Sequence, residues 1–401
     1  MSTDKLAPVD ILAAASGQHP RPLGSGRTEG PPVRAWVEVD LQAVRHNVRV
    51  LQGLAAPARL IAVVKADAYG HGAVAVSRAA LEAGAAMLAV ASVDEAVQLR
   101  QAGIAAPILV LGVGAAAPPE AFPRWQLTAT VTEPEQVGPL AAAARRAGRR
   151  VAVHVEVETG MGRMGVLPER LADLASRVAA EPNLELEGVY SHLATADEPD
   201  LSGAYRQAAC FREALGELER RGLTVPVRHL LNTAGLLAMP EWRLEMVRIG
   251  LGLYGLAPAA HLQGKAALRP ALRLLARVLE VRRLPAGSPI SYGHTYVTGR
   301  ATTIATLGVG YADGFTRRLS GRARAVVGGR LYPVVGRICM DLCMLDVGDD
   351  PVRVGDVACL VGPGEQGEMT LDEAAALTGT ISYEIMTQLG ARLPRVYREP
   401  A

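Results

Sequence analysis

Several side chains in this sequence could carry acid–base or covalent chemistry, and they recur at one kind of position. Lys65 follows the apolar run Leu60-Ile61-Ala62-Val63-Val64 and precedes the turn Ala66-Asp67-Ala68-Tyr69-Gly70-His71-Gly72. A lysine buried at such a strand end loses pKa, because water no longer stabilises its ammonium form. An uncharged amine is what Schiff-base chemistry requires. Arg163 lies just beyond the apolar stretch 151–155, and His192 ends the stretch 186–191. Asn232 and Thr233 close 229–232, and Arg248 sits at the end of 245–249. Each alone has an ordinary structural reading: a snorkelling lysine, a satisfied core histidine, a helix cap. Together, two guanidiniums and an amine at one place call for anions, which a phosphate and a carboxylate would supply.

What would bring them together is a regular scaffold. Eight short apolar runs, at 60–64, 87–91, 108–112, 127–131, 151–155, 186–191, 229–232 and 245–249, alternate with helix-favouring stretches such as 141–147, 167–180 and 205–221. Ser92 with Glu95, and Thr132 with Glu135, have the spacing of capping boxes. This rhythm predicts a (β/α)8 TIM-type barrel, whose strands share one mouth at their carboxyl ends. An open doubly wound sheet would carry a glycine-rich dinucleotide turn after its first strand, where this chain has a lysine. The alternating run 36–39 is left over from the eight and is expected to pair with a second domain. From about residue 270 the pattern changes to short alternating runs at 274–281, 301–307, 324–327, 331–335, 343–345 and 357–361, with one helix at 371–377 opened by Thr370 and Glu373. Gly328-Gly329 reads as a hairpin turn. The expected organisation is a disordered leader over 1–34, a barrel over 35–269 and a mostly β domain over 270–401.

Composition narrows the function classes. The chain has 401 residues, 49% hydrophobic content and a net charge of +2, so nothing points to nucleic acid. Cys210, Cys339, Cys343 and Cys359 form neither a paired zinc spacing nor a disulfide framework, which fits reduced thiols in a cytoplasm and predicts no metal site. No apolar run reaches the length of a membrane span. The leader is rich in Gly and Pro, and its apolar piece 11–15 is too short for a secretory signal.

The word Val64-Lys65-Ala66-Asp67-Ala68-Tyr69-Gly70-His71-Gly72 resembles the lysine motif of the alanine racemase family, and the resemblance extends from Trp36 to about Tyr397. It implies an enzyme interconverting L- and D-alanine with pyridoxal 5′-phosphate held on Lys65, supplying D-alanine for peptidoglycan. By the same resemblance Arg248 faces the cofactor's pyridine nitrogen. An arginine keeps its proton and so leaves that nitrogen unprotonated, which makes the ring a weaker electron sink. Tyr69, His192, Asn232, Thr233, Gly250, Leu251 and Tyr383 would contact the cofactor, the last in Ile381-Ser382-Tyr383. Ser291-Tyr292-Gly293 resembles the family's catalytic tyrosine motif. Gly308-Val309-Gly310-Tyr311 and Arg337-Ile338-Cys339-Met340-Asp341 resemble its substrate-access and substrate-binding segments. Members are head-to-tail homodimers, so Tyr292, Tyr311, Cys339, Met340 and Asp341 would reach the partner's lysine. Lys65 and Tyr292 of the partner would then be the two bases, one for each face of Cα, and Arg163 would hold the substrate carboxylate.

One departure is informative. Many members carry a lysine, carbamylated to an anion, seven residues before this arginine. Here the position is Glu156, already negative and able to orient Arg163, or else simply a barrel-interior carboxylate. Thr233 replaces a commoner serine, and His294 stands where a small residue is commoner. The competing readings are a racemase for another small amino acid such as serine, a pyridoxal-phosphate decarboxylase of similar layout, and a non-catalytic binding protein. Arg248 speaks against the decarboxylase, which places an acid at the ring nitrogen. The β domain speaks against the non-catalytic protein, which is a lone barrel.

Overall fold

A computed structural model of the chain describes residues 33–112 and 117–399. The leader expected over 1–34 lies outside the described residues except for its last two positions. Eight parallel strands close into a barrel in chain order: β2 (Arg59–Val63), β3 (Met87–Val90), β4 (Ile108–Val110), β5 (Thr128–Val131), β6 (Val151–Val157), β7 (Leu184–Ser191), β8 (Val227–His229) and β9 (Met246–Ile249). Closure is made by β2 on β9, with Ile61 opposite Arg248. These strands are apolar and rich in branched side chains because both faces are buried, one against helices and one in the barrel interior. In β6 the valines 151, 153, 155 and 157 alternate with Ala152, His154 and Glu156, so the polar pair points to one face.

The seventh barrel strand ends earlier than its apolar run suggests. Asn232 leaves the ladder to cap the helix Thr233–Ala238, its Oδ1 accepting from Gly235 N at 2.8 Å. Elsewhere the helix starts follow the capping chemistry. Ser92 and Glu95 form the anticipated box before Val93–Gln101. The expected box at Thr132 and Glu135 uses Gln136 instead, whose Oε1 accepts from Thr132 N at 2.7 Å and Glu133 N at 2.9 Å. Pro134 has no N–H and opens a short 3₁₀ turn there, which displaces the box by one residue.

The leftover strand β1 (Ala35–Asp40) is not in the barrel. It pairs antiparallel with β10 (Leu272–Leu284) and parallel with β18 (Arg395–Arg398). The rest of that sheet is β13 (Thr302–Leu307), β14 (Arg324–Val327), β15 (Arg330–Val335), β16 (Cys343–Gly348) and β17 (Val357–Val361). Because β13 also pairs with β10, six of these strands close on one another, and β1 and β18 extend the sheet beyond β10. Gly328 and Gly329 have φ of 57° and 77° and join β14 to β15, as a tight hairpin turn requires. The two short strands β11 (Pro289–Ile290) and β12 (Tyr296–Val297) pair with each other around Tyr292. Besides the helix Leu371–Thr378, a second helix, Ser382–Gln388, forms where the sequence reading had none. It carries Tyr383.

Asp40, the last residue of β1, caps the helix Leu41–Ala55, its side chain accepting from Ala43 N at 2.9 Å. The N-terminal strand is thereby coupled directly to a barrel helix. Arg34, inside the expected leader, is held by the β domain. Its guanidinium donates to Gly308 O at 2.5 Å, to Asp341 O at 3.2 Å and to both carboxylate oxygens of fully buried Asp313, at 2.9 and 2.7 Å.

Candidate active site

Lys65 leaves β2 into a turn of unusual conformation. Ala66, Asp67, Ala68 and Tyr69 all lie in the left-handed region, with φ of 52–53°. Each such non-glycine residue costs about 1–2 kcal/mol relative to the right-handed form, so the surroundings must over-determine the turn. They do. Glu95 Oε1 accepts from Ala66 N at 2.7 Å, while its other oxygen accepts from Ala91 N at 2.7 Å and Ser92 N at 3.3 Å in the capping box. Asp67 Oδ1 accepts from Ala73 N at 2.7 Å, and His71 Nδ1 lies 3.1 and 3.0 Å from the carbonyls of Ala68 and Tyr69. The turn aims Tyr69 into a cavity, stacked on Tyr254 at 4.8 Å and 5.8 Å from the ring of Tyr383.

That cavity is about 740 Å³ and opens at the carboxyl ends of the barrel strands. Lys65, Tyr69, Arg163, His192, Asn232, Thr233, Arg248, Gly250, Leu251 and Tyr383 all line it. At its base Arg248 is buried and tied on every side. Nη1 donates to His229 Nδ1 at 2.7 Å and His229 O at 3.1 Å. Nη2 donates to Ser191 O at 2.7 Å and Leu230 O at 3.1 Å, and lies 3.3 Å from His192 Nδ1. Burial lowers the guanidinium pKa to about 10, opposed by Tyr190 and Glu156, so it stays protonated near neutral pH. His192 is pushed down to about 3, by burial and then by Arg248, Arg163 and Lys65, and is therefore neutral. Burial and Arg163 lower the Lys65 pKa, and Glu95 partly opposes them.

The opposite end of the cavity is built from small and hydroxyl groups. Thr233 Oγ1 accepts from Gly250 N at 3.1 Å and Gly252 N at 3.4 Å, bringing the turns after β8 and β9 together. A Cβ at position 250 would meet Tyr69 Oη at 2.8 Å, so the backbone comes close to the cavity there only because the residue is glycine. Burial raises the Tyr383 pKa to about 12, so its hydroxyl is a hydrogen-bond donor at neutral pH. Two ammonium or guanidinium groups, a third at the base, two phenols and a threonine form a donor set that suits an anionic aldehyde such as pyridoxal phosphate.

Arg163 is carried on a loop folded around Glu158. That carboxylate accepts from the backbone N–H of Met161 at 2.6 Å, Gly162 at 2.8 Å and Arg163 itself at 3.3 Å, and also from Gly160 N. Glu156 does not pair with Arg163 among the described residues. It is buried, accepts from Tyr190 Oη at 3.2 Å and faces Arg248. Its pKa is raised, chiefly by burial. The physical reason for the lost pairing is length: a carboxylate on two methylenes stays within the barrel, while Arg163 is exposed on the loop beyond it.

A second group of expected residues gathers elsewhere. Tyr292, Tyr311, Cys339, Met340 and Asp341 do not line this cavity. They lie together on the β domain, where Tyr311 N donates to Cys339 O at 3.0 Å, Ala312 N donates to Met340 O at 3.0 Å, and Ser291 Oγ lies 3.5 Å from Cys339 Sγ. Tyr292 is 70% exposed and Met340 54%.

Some lining and supporting residues escaped the sequence reading. Gln207, on the helix Ser202–Arg220, is buried and clamps the His192 turn, accepting from Ala194 N at 2.8 Å and donating to His192 O at 3.0 Å. His229 and Tyr190 pack together at 4.7 Å beneath Arg248. For His229 and Tyr190 the available signal was a ring with a polar atom inside a run read as a barrel strand; Gln207, on a helix, offered none.

Comparison with known proteins agrees with this layout. Residues 39–258 match the alanine racemase N-terminal domain and residues 271–397 the alanine racemase C-terminal domain. Alanine racemase of Symbiobacterium thermophilum is 48% identical over 363 residues, 90% of this chain and 96% of the relative. That of Desulfovibrio desulfuricans is 44% identical, over 91% of this chain and 98% of the relative. The crystal structure of alanine racemase from D-cycloserine-producing Streptomyces lavendulae superposes with a TM-score of 0.87 at 41% identity, covering 93% of this chain and 99% of that one. With both domains matched in order, and the lysine, arginine and hydroxyl groups converging on one cavity, the chain belongs to the alanine racemase family.

Proposed function

We propose that this protein interconverts L- and D-alanine with pyridoxal 5′-phosphate, as a homodimer that shares its active sites. The observation carrying this reading is the convergence of Lys65, Arg163, Arg248, Thr233 and the Tyr69–Tyr383 pair on one cavity. Its volume, about 740 Å³, is in the range of small-molecule sites.

When bound, pyridoxal phosphate supplies an aldehyde that bonds to amines and a ring that draws electron density from Cα. The chain's residues do the rest. Lys65 would hold the aldehyde, aided by the surroundings that lower its pKa. Thr233, Gly250, Leu251, Tyr69 and Tyr383 would hold the phosphate, and Asn232 keeps the turn of Thr233 in place through its cap. Arg248, locked in place and protonated, would donate to the ring nitrogen without protonating it, which moderates electron withdrawal and favours return of the proton to Cα. Arg163 would hold the substrate carboxylate, along with the backbone N–H of Met340 from the partner subunit. Two faces of Cα need two bases. Lys65 would serve one, and the exposed Tyr292 of a partner copy would serve the other, in keeping with a phenol that does not line the cavity of its own chain. The same dimer would bring in Tyr311, Cys339 and Asp341.

The test is direct. Purified protein with added pyridoxal phosphate should absorb near 420 nm, and L-alanine should lose optical activity in its presence. A panel of L-amino acids ranks the side chains accepted. Release of carbon dioxide from L-alanine without formation of D-alanine would overturn the reading in favour of a decarboxylase. In deuterated water, Tyr292→Phe should abolish exchange on one face only, and full two-way activity in that variant would remove Tyr292 as the second base.

A further inference from the structure

A chain of side chains runs through the barrel interior behind Arg248, and neither of its last two members touches the cavity. Arg248 Nη1 is 2.7 Å from His229 Nδ1. His229 Nε2 is 2.9 Å from His154 Nδ1, and His154 Nε2 is 3.0 Å from Glu187 Oε2. Both histidines are fully buried, whereas the Glu187 side chain is 29% exposed.

The two ends fix the direction of every hydrogen bond between them. A guanidinium has only donors, so His229 Nδ1 must accept and its proton must sit on Nε2. That N–H points at His154 Nδ1, which must accept in turn, leaving the His154 proton on Nε2. A carboxylate has only acceptors, so Glu187 Oε2 accepts the hydrogen bond from His154 Nε2–H. Both imidazoles are therefore neutral and both are Nε2–H tautomers. The opposite tautomers would set N–H against N–H at 2.7 Å beside Arg248.

The sequence makes room for this arrangement. The pairing of β6 with β7 shifts register between Val153 and His154, which sets His154 opposite Gly188. A Cβ at Gly188 would meet Cε1 and Nδ1 of the His154 ring at 2.6 Å. Three neighbouring positions of β7 thus serve the chain: Glu187 as terminal acceptor, Gly188 as the space for His154, and Tyr190 as a platform stacked on His229 with an interplanar angle of 9°. Burial and Arg248 hold His229 far below the usual imidazole range, in keeping with a neutral ring, and the bond from His154 lowers the Glu187 pKa.

We propose that Glu187 and His154 are positioning residues that orient the His229 ring and so hold the Arg248 guanidinium in place at the base of the cavity. The function of this relay rests on the racemase reading, whereas the tautomers can be measured without it. In histidine-¹⁵N-labelled protein, long-range ¹H–¹⁵N spectra should show both rings protonated at Nε2 only, with and without pyridoxal phosphate. Glu187→Ala removes the acceptor of the His154 Nε2–H, so it should shift the ring ¹⁵N resonances of His154 and His229 and lower kcat on the order of 10-fold, the scale on which outer partners of a functional group usually act, with little change in KM. Glu187→Gln, which can still accept from His154, should retain the tautomers and most of kcat. Nδ1–H or doubly protonated His229 in the parent protein would overturn the proposal. So would unchanged ¹⁵N resonances and kcat in Glu187→Ala. A parent protein with the expected tautomers and no racemase activity would instead refute the proposed function while leaving the hydrogen-bond assignment standing.

Discussion

Replacing Arg34 by alanine isolates the contribution of one residue at the edge of the described chain. Asp313 is fully buried and receives a bidentate pair of hydrogen bonds from Arg34, one from Gly310 N at 3.0 Å, and the charge of Arg392 at 3.6 Å. Removing one member of a buried ion pair costs about 3–5 kcal/mol, because the remaining charge is left uncompensated. Two features lower that figure here. Arg34 is itself 32% exposed, and Arg392 remains nearby, so a loss of about 2–4 kcal/mol is expected. Asp313→Ala should cost a similar amount, since it leaves Arg34 without its carboxylate. The double variant should cost about 2 kcal/mol less than the sum of the two, the signature of a coupled pair. Urea unfolding followed by tryptophan fluorescence is a suitable assay, because Trp36 lies two residues away in buried β1. Since Gly310 and Asp313 flank Tyr311, and Arg34 also binds Gly308 O and Asp341 O, the Arg34 variant should raise KM for alanine as well. Additive losses, or a single-variant effect under about 0.5 kcal/mol, would show that the buried carboxylate does not depend on Arg34.

Three other outcomes follow from the same geometry. Glu95→Ala removes the carboxylate shared by Ala66 N and the capping box, so it should weaken retention of pyridoxal phosphate at least several-fold in dialysis; equal retention would mean that the left-handed turn holds without it. His71 is fully buried and its pKa is lowered to about 4, chiefly by burial, so between roughly pH 6.5 and 4 the unfolded chain binds a proton that the folded chain does not. Stability should therefore fall as pH drops through that window, by about 1.4 kcal/mol per unit from this group, and the slope should lessen by one proton in His71→Phe. Tyr190→Phe keeps the ring on His229 but strips Glu156 of its hydroxyl partner, which should cost about 1–3 kcal/mol, with most of the loss recovered when Glu156→Gln is added.

The barrel was legible because its signal is local. Each strand is a short apolar run, and each chemical group follows such a run at the same end, so Lys65, Arg163, His192, Thr233 and Arg248 could be placed at one mouth before any coordinates. Tyr383 was reached only through a family word, because the helix bearing it is seven residues long and shows little apolar periodicity. What the sequence hid are contacts that no spacing encodes. Arg34 and Asp313 lie 279 positions apart, and their pairing depends on how β1 docks into the far sheet. His154 and Glu187 needed a register shift between two strands before they could meet. Glu156 was read either as an orienting group for Arg163 or as a barrel-interior carboxylate; it is the second, and its partner, Tyr190, sits on the adjacent strand at the paired position.

The crossing of β1 into the C-terminal sheet has a consequence for any attempt to divide this protein. A cut between the two matched regions, after residue 258, would strip the later fragment of the strand that separates β10 from β18, and would strip the earlier fragment of the phenol on Ser382–Gln388 that closes its binding site. Neither fragment is self-sufficient, so activity could return only by complementation, with each piece folding against the other.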